Sequence, residues 1–291
     1  MTEFDADRPG SRARLRPAED IVAFEREADM LIPLVTQPHR FAGRNARTRL
    51  TPFYEVQTLR GVVDLLLVEL DHSVLSYREK WQLDPVVNLP EVAVLRTFSQ
   101  ELSTGGQAVL TSRALSDTAV VGTSHLRRRV LPTLESAGWI AKEGRDSWRL
   151  VHDFHNPVRR IIAVEAKRSD WRHALTQAAS HREFADATYV ALDAAKLPRV
   201  DSWRKAFEFN EVGLITITAD SSTRASLPEA HVSELVKAPR RRPRGLARVT
   251  VAERVAMLSA SGCNSGVVNH VFGRAISTSW GDDPRLIAAG T

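Results

Sequence analysis

The sequence is poor in cysteine and has no long hydrophobic run. Its 291 residues include one cysteine, Cys263, which excludes an internal disulfide framework and any cysteine-based zinc cluster. No apolar run approaches the roughly 18 residues that cross a bilayer, and residues 1–16 lack the apolar segment of a secretory signal. We therefore expect a cytoplasmic protein, not bound to membranes, that holds any metal ion through oxygen or imidazole.

Lysine is also scarce, since it supplies only six of the 40 basic residues. The arginines that make up the rest give a net charge of +5 and a pI near 9.7. Arginine binds phosphate through paired hydrogen bonds, which favours a nucleic-acid partner. An arginine-rich proteome would give the same ratio of arginine to lysine. Composition therefore does not decide between nucleic-acid binding and the bias of the proteome.

Two neighbouring stretches early in the chain have the composition of strands. Phe53-Tyr54-Glu55-Val56 is the first, and residues 62–70 are the second, after a turn at Arg60-Gly61. The second stretch is apolar on both faces, which predicts a strand in the interior of a sheet. Asp64 interrupts this stretch, and its burial is costly without a partner or a cation.

The tripeptide Glu165-Ala166-Lys167 ends another β-rich run, residues 159–164. Side chains at positions i and i+2 of a strand point to the same face, so a carboxylate and an ammonium group are expected side by side. An amphipathic helix is predicted to follow at 172–184, and it carries Gln177. We expect His173 and His181 on this helix to be exposed.

The remaining periodicities complete an α/β pattern. They predict helices at 18–35, 202–209 and 251–260, strands at 187–192 and 212–217, the latter being the last strand, and a basic linker at 239–248. His152 and His155 have the spacing of metal ligands, but they flank a proline-containing loop and are interpreted as junction residues.

The order of these elements resembles the PD-(D/E)XK nuclease superfamily, whose fold is the restriction-endonuclease-like fold. The match runs through an acidic helix, two strands with Asp64 on the second, the strand with Glu165-x-Lys167, the helix with Gln177 and a further strand. It covers residues 20–70 and 159–218. The resemblance implies a mixed sheet flanked by helices and hydrolysis of phosphodiester bonds with Mg²⁺ or Mn²⁺.

The resemblance also implies a role for each site residue. Asp64, Glu165 and the backbone carbonyl of Ala166 would bind the metal ion, and Lys167 would orient or deprotonate the attacking water. Gln177 matches a glutamine that supports the active site in one branch of the superfamily. The acid of the first helix is either Glu25 or Glu27, and Glu27 is the better match.

Residues 90–151 have a different character, with three helices followed by a short hairpin. Helices are predicted to begin at Pro90, behind a cap at Thr111, and at Gly122. Pro132 removes a hydrogen bond from the third helix and predicts a kink there. The run LESAGWI then leads into a basic turn and a strand at 147–151. This segment resembles the winged-helix domain of bacterial MarR-type regulators.

In such a domain the N-terminal residues of the third helix contact DNA. The resemblance assigns DNA contacts to Thr123, Ser124, His125, Arg127 and Arg128 on that helix, and to Lys142 and Arg145 on the wing. The alternative is that the arginines form a solvated face in a domain that contacts other proteins.

The sequence thus predicts an α/β protein with an inserted winged helix-turn-helix domain. The predicted divisions are a flexible N-terminus (1–17), a nuclease-like core in two parts (18–83 and 153–236), the insertion (84–152), and a basic linker with a C-terminal segment (237–291). The predicted function is a metal-dependent endonuclease in bacterial defence or DNA repair that acts on double-stranded DNA. A homodimer is compatible with this prediction, and the sequence does not decide the oligomeric state. A transcriptional regulator with an inactive nuclease-like core is the alternative, and a protein-interaction module of a larger complex is a third possibility.

Overall fold

The computed structural model describes residues 21–105, 109–197, 202–220 and 230–265, with two further pairs at 270–271 and 274–275. The N-terminal stretch 1–17, predicted to be flexible, lies outside the described residues. In the part of the chain that is described, no helix has both the length and the apolar character needed to cross a membrane.

Strands and helices alternate along the chain. The described strands are β1 (Ile21–Val22), β2 (Thr51–Thr58), β3 (Gly61–Leu70), β4 (Val109–Thr111), β5 (Ile140–Lys142), β6 (Ser147–Leu150), β7 (Val158–Lys167), β8 (Ala187–Asp193), β9 (Gly213–Asp220), β10 (Ala230–Val236), β11 (His270–Val271) and β12 (Arg274–Ala275). The α-helices are α1 (Leu31–Thr36), α2 (Ala46–Arg49), α3 (His72–Lys80), α4 (Leu89–Ser103), α5 (Ser112–Ala119), α6 (Thr123–His125), α7 (Leu131–Ser136), α8 (Trp171–Ser180), α9 (Ser202–Asn210) and α10 (Leu246–Ala260).

Seven strands form one mixed sheet. Their order is β1-β9-β8-β7-β3-β2, with β10 also paired to β9. The pairs β7–β8 and β8–β9 are parallel, whereas β3 is antiparallel to both of its neighbours, β2 and β7. The predicted interior position of the strand with Asp64 is therefore confirmed, because β3 has a hydrogen-bonded neighbour on each side.

Apolar side chains cover both faces of this sheet. On one face, Leu65 and Val164 pack with Leu31 and Leu34 of α1. On the other face, Leu66 belongs to a cluster that includes residues of α10, and the β8–β9 region packs against α8 and α9. Strands buried on both faces read as continuous apolar runs, which explains the composition of residues 62–70.

The segment between β3 and β7 forms a second hydrophobic core. It leaves the sheet after Leu70 and returns at Val158, its partner in the sheet register, where the backbone N–H of Asp71 donates to the carbonyl of Pro157 at 2.8 Å. Helices α4, α5 and α7 and the π turn Leu126–Val130 pack around Trp139, together with a three-stranded sheet in the order β4-β6-β5. The element order is therefore helix, strand, two helices and a hairpin.

Helix α10 packs against both cores. Val251 and Val255 belong to a cluster on the large sheet, whereas Leu246 and Val249 pack against the core around Trp139. Glu253 is buried and accepts hydrogen bonds of 2.7 Å from both terminal nitrogens of Arg78 on α3. The inserted segment is therefore held against the sheet by packing and by a buried ion pair.

Three features of the fold differ from the sequence predictions. The helix predicted at 18–35 is wrong in its first part, because Ile21–Val22 pairs with β9 and a 3₁₀ turn, Glu27–Met30, precedes α1. Strand β10 was not predicted; it pairs with β9 at the edge of the sheet. The predicted linker 239–248 ends early, since α10 begins at Leu246 and Arg248 is buried, with its guanidinium 2.8 Å from Asp186.

Pro132 lies inside the third helix of the inserted segment without ending it. The stretch from Thr123 to Ser136 is helical throughout, but Leu126–Val130 forms a π turn immediately before the proline. A π turn widens the helix locally, and proline has no N–H to donate and crowds the preceding turn. The distortion therefore falls N-terminal to Pro132, and the C-terminal half continues as α7.

Candidate active site

The sheet register brings the two predicted carboxylate ligands together. Leu65 pairs with Val164, so Asp64 at the start of β3 lies beside Glu165 near the end of β7. The carboxylate of Asp64 is fixed by the backbone N–H of Ala166, which donates to Oδ2 at 2.9 Å. Two distant parts of the chain therefore meet at one end of the sheet.

Glu165 is a fully buried acid without a hydrogen-bond donor. Its side chain is 0% exposed, and neither carboxylate oxygen accepts a hydrogen bond from any described residue. Nε2 of His181 lies 3.4 Å from Oε1 of Glu165. Burial, followed by the negative charge of Asp64, raises the pKa of Glu165 far above its ordinary value. The charge of Lys167 acts in the opposite direction but does not offset burial and Asp64, so the pKa of Glu165 stays raised.

Lys167 lies between two carboxylates. Its Nζ is 3.6 Å from Oδ2 of Asp64 and 3.6 Å from Oε2 of Glu27. Burial opposes the charge of Lys167, but the carboxylates of Asp64, Glu27 and Glu165 together outweigh it and raise its pKa. A protonated lysine donates hydrogen bonds but accepts no proton, which favours the orienting role over the base role.

Of the two acids proposed for the N-terminal helical segment, Glu27 is the one at the site. It lies in the 3₁₀ turn before α1, and its Oε1 accepts a hydrogen bond of 3.1 Å from the backbone N–H of Arg168. Glu25 is exposed to solvent. Glu27 therefore supports both the backbone at the end of β7 and the ammonium of Lys167.

Gln177 lies on α8, and His181 lies in the 3₁₀ turn that follows it. Gln177 is partly buried on α8, and its Oε1 accepts no hydrogen bond among the described residues. The expectation that His181 is exposed is wrong, because the side chain is 2% exposed beside Glu165; His173 is exposed as expected. Burial lowers the pKa of His181 to about 4, so its imidazole is neutral at pH 7.

Sequence reasoning missed Glu55. This residue of β2 lies between the register pairs Tyr54–Leu65 and Val56–Val63, which places it opposite Asp64. It is 6% exposed, and burial, followed by the charge of Asp64, raises its pKa to about 7. The available signal was an acid in the apolar stretch FYEV, next to a strand that itself carries an acid.

The donor set suits a hard divalent cation. Carboxylate oxygens are the ligands such ions prefer, and the oxygens of Glu165, next to Asp64, accept no hydrogen bond among the described residues. Within the described ranges, no three His, Cys, Asp or Glu side chains already converge in the geometry of a bound metal.

The residues assigned to DNA contact lie on the surface of the inserted segment. All seven are solvent-exposed: Thr123, Ser124, His125, Arg127, Arg128, Lys142 and Arg145. One of them, Arg127, donates a hydrogen bond of 2.7 Å to Asp146 in the hairpin turn. The basic residues are therefore accessible to a polyanion, and Arg127 is hydrogen-bonded to the hairpin.

The inserted segment is attached at the opposite end of the sheet from the carboxylates. It starts beyond Leu70, whereas Asp64 lies near the beginning of the same strand. At about 3.4 Å per residue, the strand between these positions spans roughly 20 Å. The point of attachment and the acidic site are thus separated along the strand direction.

The junction histidines make local contacts. Nδ1 of His152 lies 3.0 Å from the hydroxyl of Tyr77, and His155 lies 3.8 Å from Asp153.

Comparison of the chain with protein-family models, curated proteins and solved structures finds no match in any of the three.

Proposed function

We propose that the protein is a metal-dependent DNA endonuclease of the PD-(D/E)XK type. One observation carries the proposal: Glu165 is fully buried, both of its oxygens lack a hydrogen bond among the described residues, and it lies beside Asp64 and Lys167. A buried carboxylate of this kind is costly unless a cation binds to it. The strand order around it fits the mixed sheet that the superfamily resemblance implies.

The metal ion would be held by Asp64, Glu165 and, as the resemblance implies, the carbonyl of Ala166. When bound, a hard divalent cation provides Lewis acidity and lowers the pKa of a coordinated water. Lys167 donates hydrogen bonds to the attacking water or to phosphate oxygens, and its charge offsets the negative charge that develops during hydrolysis. Glu27 holds Lys167 in place through their 3.6 Å contact.

The inserted segment is proposed to be a winged-helix domain that positions the enzyme on duplex DNA. Its helix-strand-helix-helix-hairpin order and its exposed basic residues support this assignment. The N-terminal turns of the third helix carry Thr123 to Arg128, which suits contacts with base edges and phosphates in the major groove. The hairpin, with Lys142 and Arg145, suits the DNA backbone.

The test is cleavage of DNA by the full-length protein. Single-stranded, duplex and branched DNA are incubated with Mg²⁺, Mn²⁺ or EDTA, with wild type compared against Asp64→Ala and against Asp117→Ala as an exposed acidic control. Wild type and the control should cleave with either metal and fail in EDTA. Asp64→Ala should lose cleavage but retain binding in a mobility-shift assay.

A separate observation supports the regulator alternative: the inserted segment has exposed basic residues. These residues could bind DNA whether or not the carboxylates of the large sheet bind a metal ion. A regulator would bind one duplex sequence in EDTA, with affinity falling steeply as salt rises. It would cleave with neither metal and would be unaffected by Asp64→Ala. That combination of results would reject the nuclease and retain the DNA-binding protein.

A further inference from the structure

The residues predicted to form a basic linker follow a fixed path along one end of the large sheet. Residues 237–244, which we call the basic segment, include five arginines and lysines and no acid. The backbone N–H of Arg241 donates to the carbonyl of Asp186, just before β8, at 2.8 Å. The carbonyl of Arg244 accepts a hydrogen bond of 2.7 Å from Arg96 on α4. The basic segment therefore runs from the end of β10, past the start of β8, to the inserted segment.

One arginine of the sheet lies close to the basic segment. Arg160 is partly buried near the start of β7, on the face that it shares with Ile162. Burial, followed by the charge of Arg240, lowers the pKa of Arg160. A terminal nitrogen of Arg240 is 3.9 Å from the position that a β-carbon on Gly43 would take, and Gly43 follows Ala42 of the core on that face. The fold therefore brings together two cations that are far apart in the chain.

The acids near Arg160 are shared with other arginines. Asp186 and Glu69 both favour the charged form of Arg160. Asp186 lies 2.8 Å from the guanidinium of Arg248, and Glu69 lies 4.0 Å from that of Arg49. The two acids do not offset burial and the neighbouring guanidinium, so the pKa of Arg160 stays lowered. A bound anion would relieve the repulsion between the two cations.

The basic segment borders an open cavity of about 520 Å³. The cavity is lined by Lys237, Ala238, Pro239 and Arg240, and both of these cations are exposed. One acid, Glu234, is close enough to Lys237 for the lysine to lower its pKa, but burial is the larger effect and raises it. Ammonium and guanidinium groups donate charge-assisted hydrogen bonds to phosphate oxygens. The cavity is therefore accessible to a phosphate group that both cations can contact.

Exposed cations continue beyond the cavity toward the inserted segment. Arg242 and Arg244 are both exposed. At up to about 3.5 Å per residue, the basic segment spans at most roughly 25 Å. One DNA strand carries a phosphate about every 3.4 Å along the helix axis. This row of cations therefore matches successive phosphates of a polyanion better than it matches a single phosphate group.

We propose that Arg160, Lys237 and Arg240 bind phosphate groups of the DNA backbone. The site is separate from the acidic site, because the strand between Arg160 and Glu165 spans roughly 17 Å. It lies at the end of the sheet where the inserted segment is attached, so DNA held by that segment would continue along the basic segment. The inference rests on the DNA binding in the proposed function and not on cleavage. Contacts of this kind add affinity without reading sequence.

The experiment measures how salt weakens DNA binding. A fluorescent duplex of about 30 base pairs, or three helical turns, is titrated with full-length protein in EDTA at several NaCl concentrations, with anisotropy as the readout. Arg240→Ala and Arg160→Gln should each reduce the slope of log K against log salt by about 0.9. The matched control is Lys205→Ala, an exposed lysine on α9, which packs on the other face of the sheet and should keep the wild-type slope. Wild-type slopes for both arginine variants would overturn the proposal.

A charge-retaining variant separates loss of the phosphate contact from loss of the fold. Arg240→Lys keeps the positive charge and should keep a slope close to that of wild type. Because Arg240 is exposed, Arg240→Ala should have the melting temperature of wild type. Equal losses of slope in Arg240→Lys and Arg240→Ala would contradict a contact made through charge.

Free phosphorylated compounds distinguish a DNA contact from a small-molecule site. Melting temperatures are measured with inorganic phosphate and with adenosine 5′-monophosphate. Either compound should shift wild type and Arg240→Ala by the same amount, since a single anion engages only part of the row of cations. A rise in wild type that is absent from Arg240→Ala, together with unchanged DNA slopes, would assign the cavity to a small phosphorylated ligand and reject the DNA contact.

Cleavage assays on the same samples distinguish this inference from the proposed function. A wild type that cleaves duplex DNA, with the slope unchanged in Arg240→Ala and Arg160→Gln, would retain the nuclease and remove the backbone site. A wild type that cleaves nothing, with the slope reduced in both variants, would support the backbone site and count against the nuclease.

Discussion

The ammonium group of Lys167 lies 3.6 Å from the carboxylate of Asp64, across two neighbouring antiparallel strands. The two residues belong to parts of the chain that are separated by the whole inserted segment. Their contact depends on β3 and β7 pairing in one register, because a shift by one residue would turn one of the side chains to the other face.

Replacing Lys167 by alanine should abolish most cleavage and leave DNA binding intact. The ammonium group is proposed to orient water and stabilise charge, and loss of one such donor lowers the rate about 10²–10³-fold. Single-turnover cleavage of end-labelled duplex with Mg²⁺ gives the rate, and a mobility shift gives the affinity. Lys142→Ala, on the exposed hairpin, should show the opposite pattern of weaker affinity and a normal rate at saturation. Equal rates for wild type and Lys167→Ala would exclude the assigned role.

Glu165→Gln should stabilise the metal-free protein at high pH. Because the folded pKa of Glu165 is raised above its ordinary value of 4.5, its contribution to stability is fully present below about pH 4.5 and is lost as the pH rises toward the folded pKa. The loss amounts to at most about 1.4 kcal/mol per pH unit. Urea denaturation in EDTA at pH 5, 6.5 and 8 should show a gap between variant and wild type that widens with pH.

Two controls accompany that measurement. Glu208→Gln, an exposed acid on α9, should follow the wild type at every pH. Addition of Mg²⁺ should narrow the gap at pH 8, because a cation that binds Glu165 favours the ionised folded state. Parallel pH profiles for wild type and Glu165→Gln would show that the acid is not buried as described.

Glu253→Ala should destabilise the protein by about 3–5 kcal/mol, since it leaves the guanidinium of Arg78 buried without its partner. The backbone N–H of Val86 would lose its acceptor as well. The control is Asp117→Ala, which breaks an exposed pair with Arg113 and should cost less than about 1 kcal/mol. Urea unfolding followed by circular dichroism gives both values. Equal costs for the two substitutions would contradict the buried contact between α3 and α10.

Arg128→Ala should weaken binding to every duplex by a similar factor. Arg128 is exposed on the third helix of the inserted segment and is proposed to contact phosphate. Loss of one phosphate contact should reduce the slope of log K against log salt by about 0.9. Arg49→Ala, an exposed arginine on α2, serves as the control and should leave the slope unchanged. A change in sequence preference without a change in slope would assign Arg128 to base contact instead.

Local sequence patterns were sufficient for five of the seven described strands of the large sheet, β2, β3, β7, β8 and β9, and for their order along the chain. Residues 62–70 are apolar on both faces, which identifies an interior strand without knowledge of its partners. The alternation of side chains predicted that Glu165 and Lys167 share a face. The helix predicted at 18–35 was wrong in its first part. Its apolar residues have helical spacing, but Ile21–Val22 instead pairs with β9, a strand far along the chain.

The sequence alone identified four chemically distinctive residues, because each is polar in an apolar or amphipathic stretch. These residues are Asp64, Glu165, Lys167 and Gln177. Only the tertiary structure decided that Glu55 joins them, that His181 is buried beside Glu165, and that Glu27 rather than Glu25 reaches Lys167. The physical reason is that periodicity reports which face a side chain occupies within its own element. Strand register and helix docking decide which faces meet, and these depend on contacts between residues far apart in the chain.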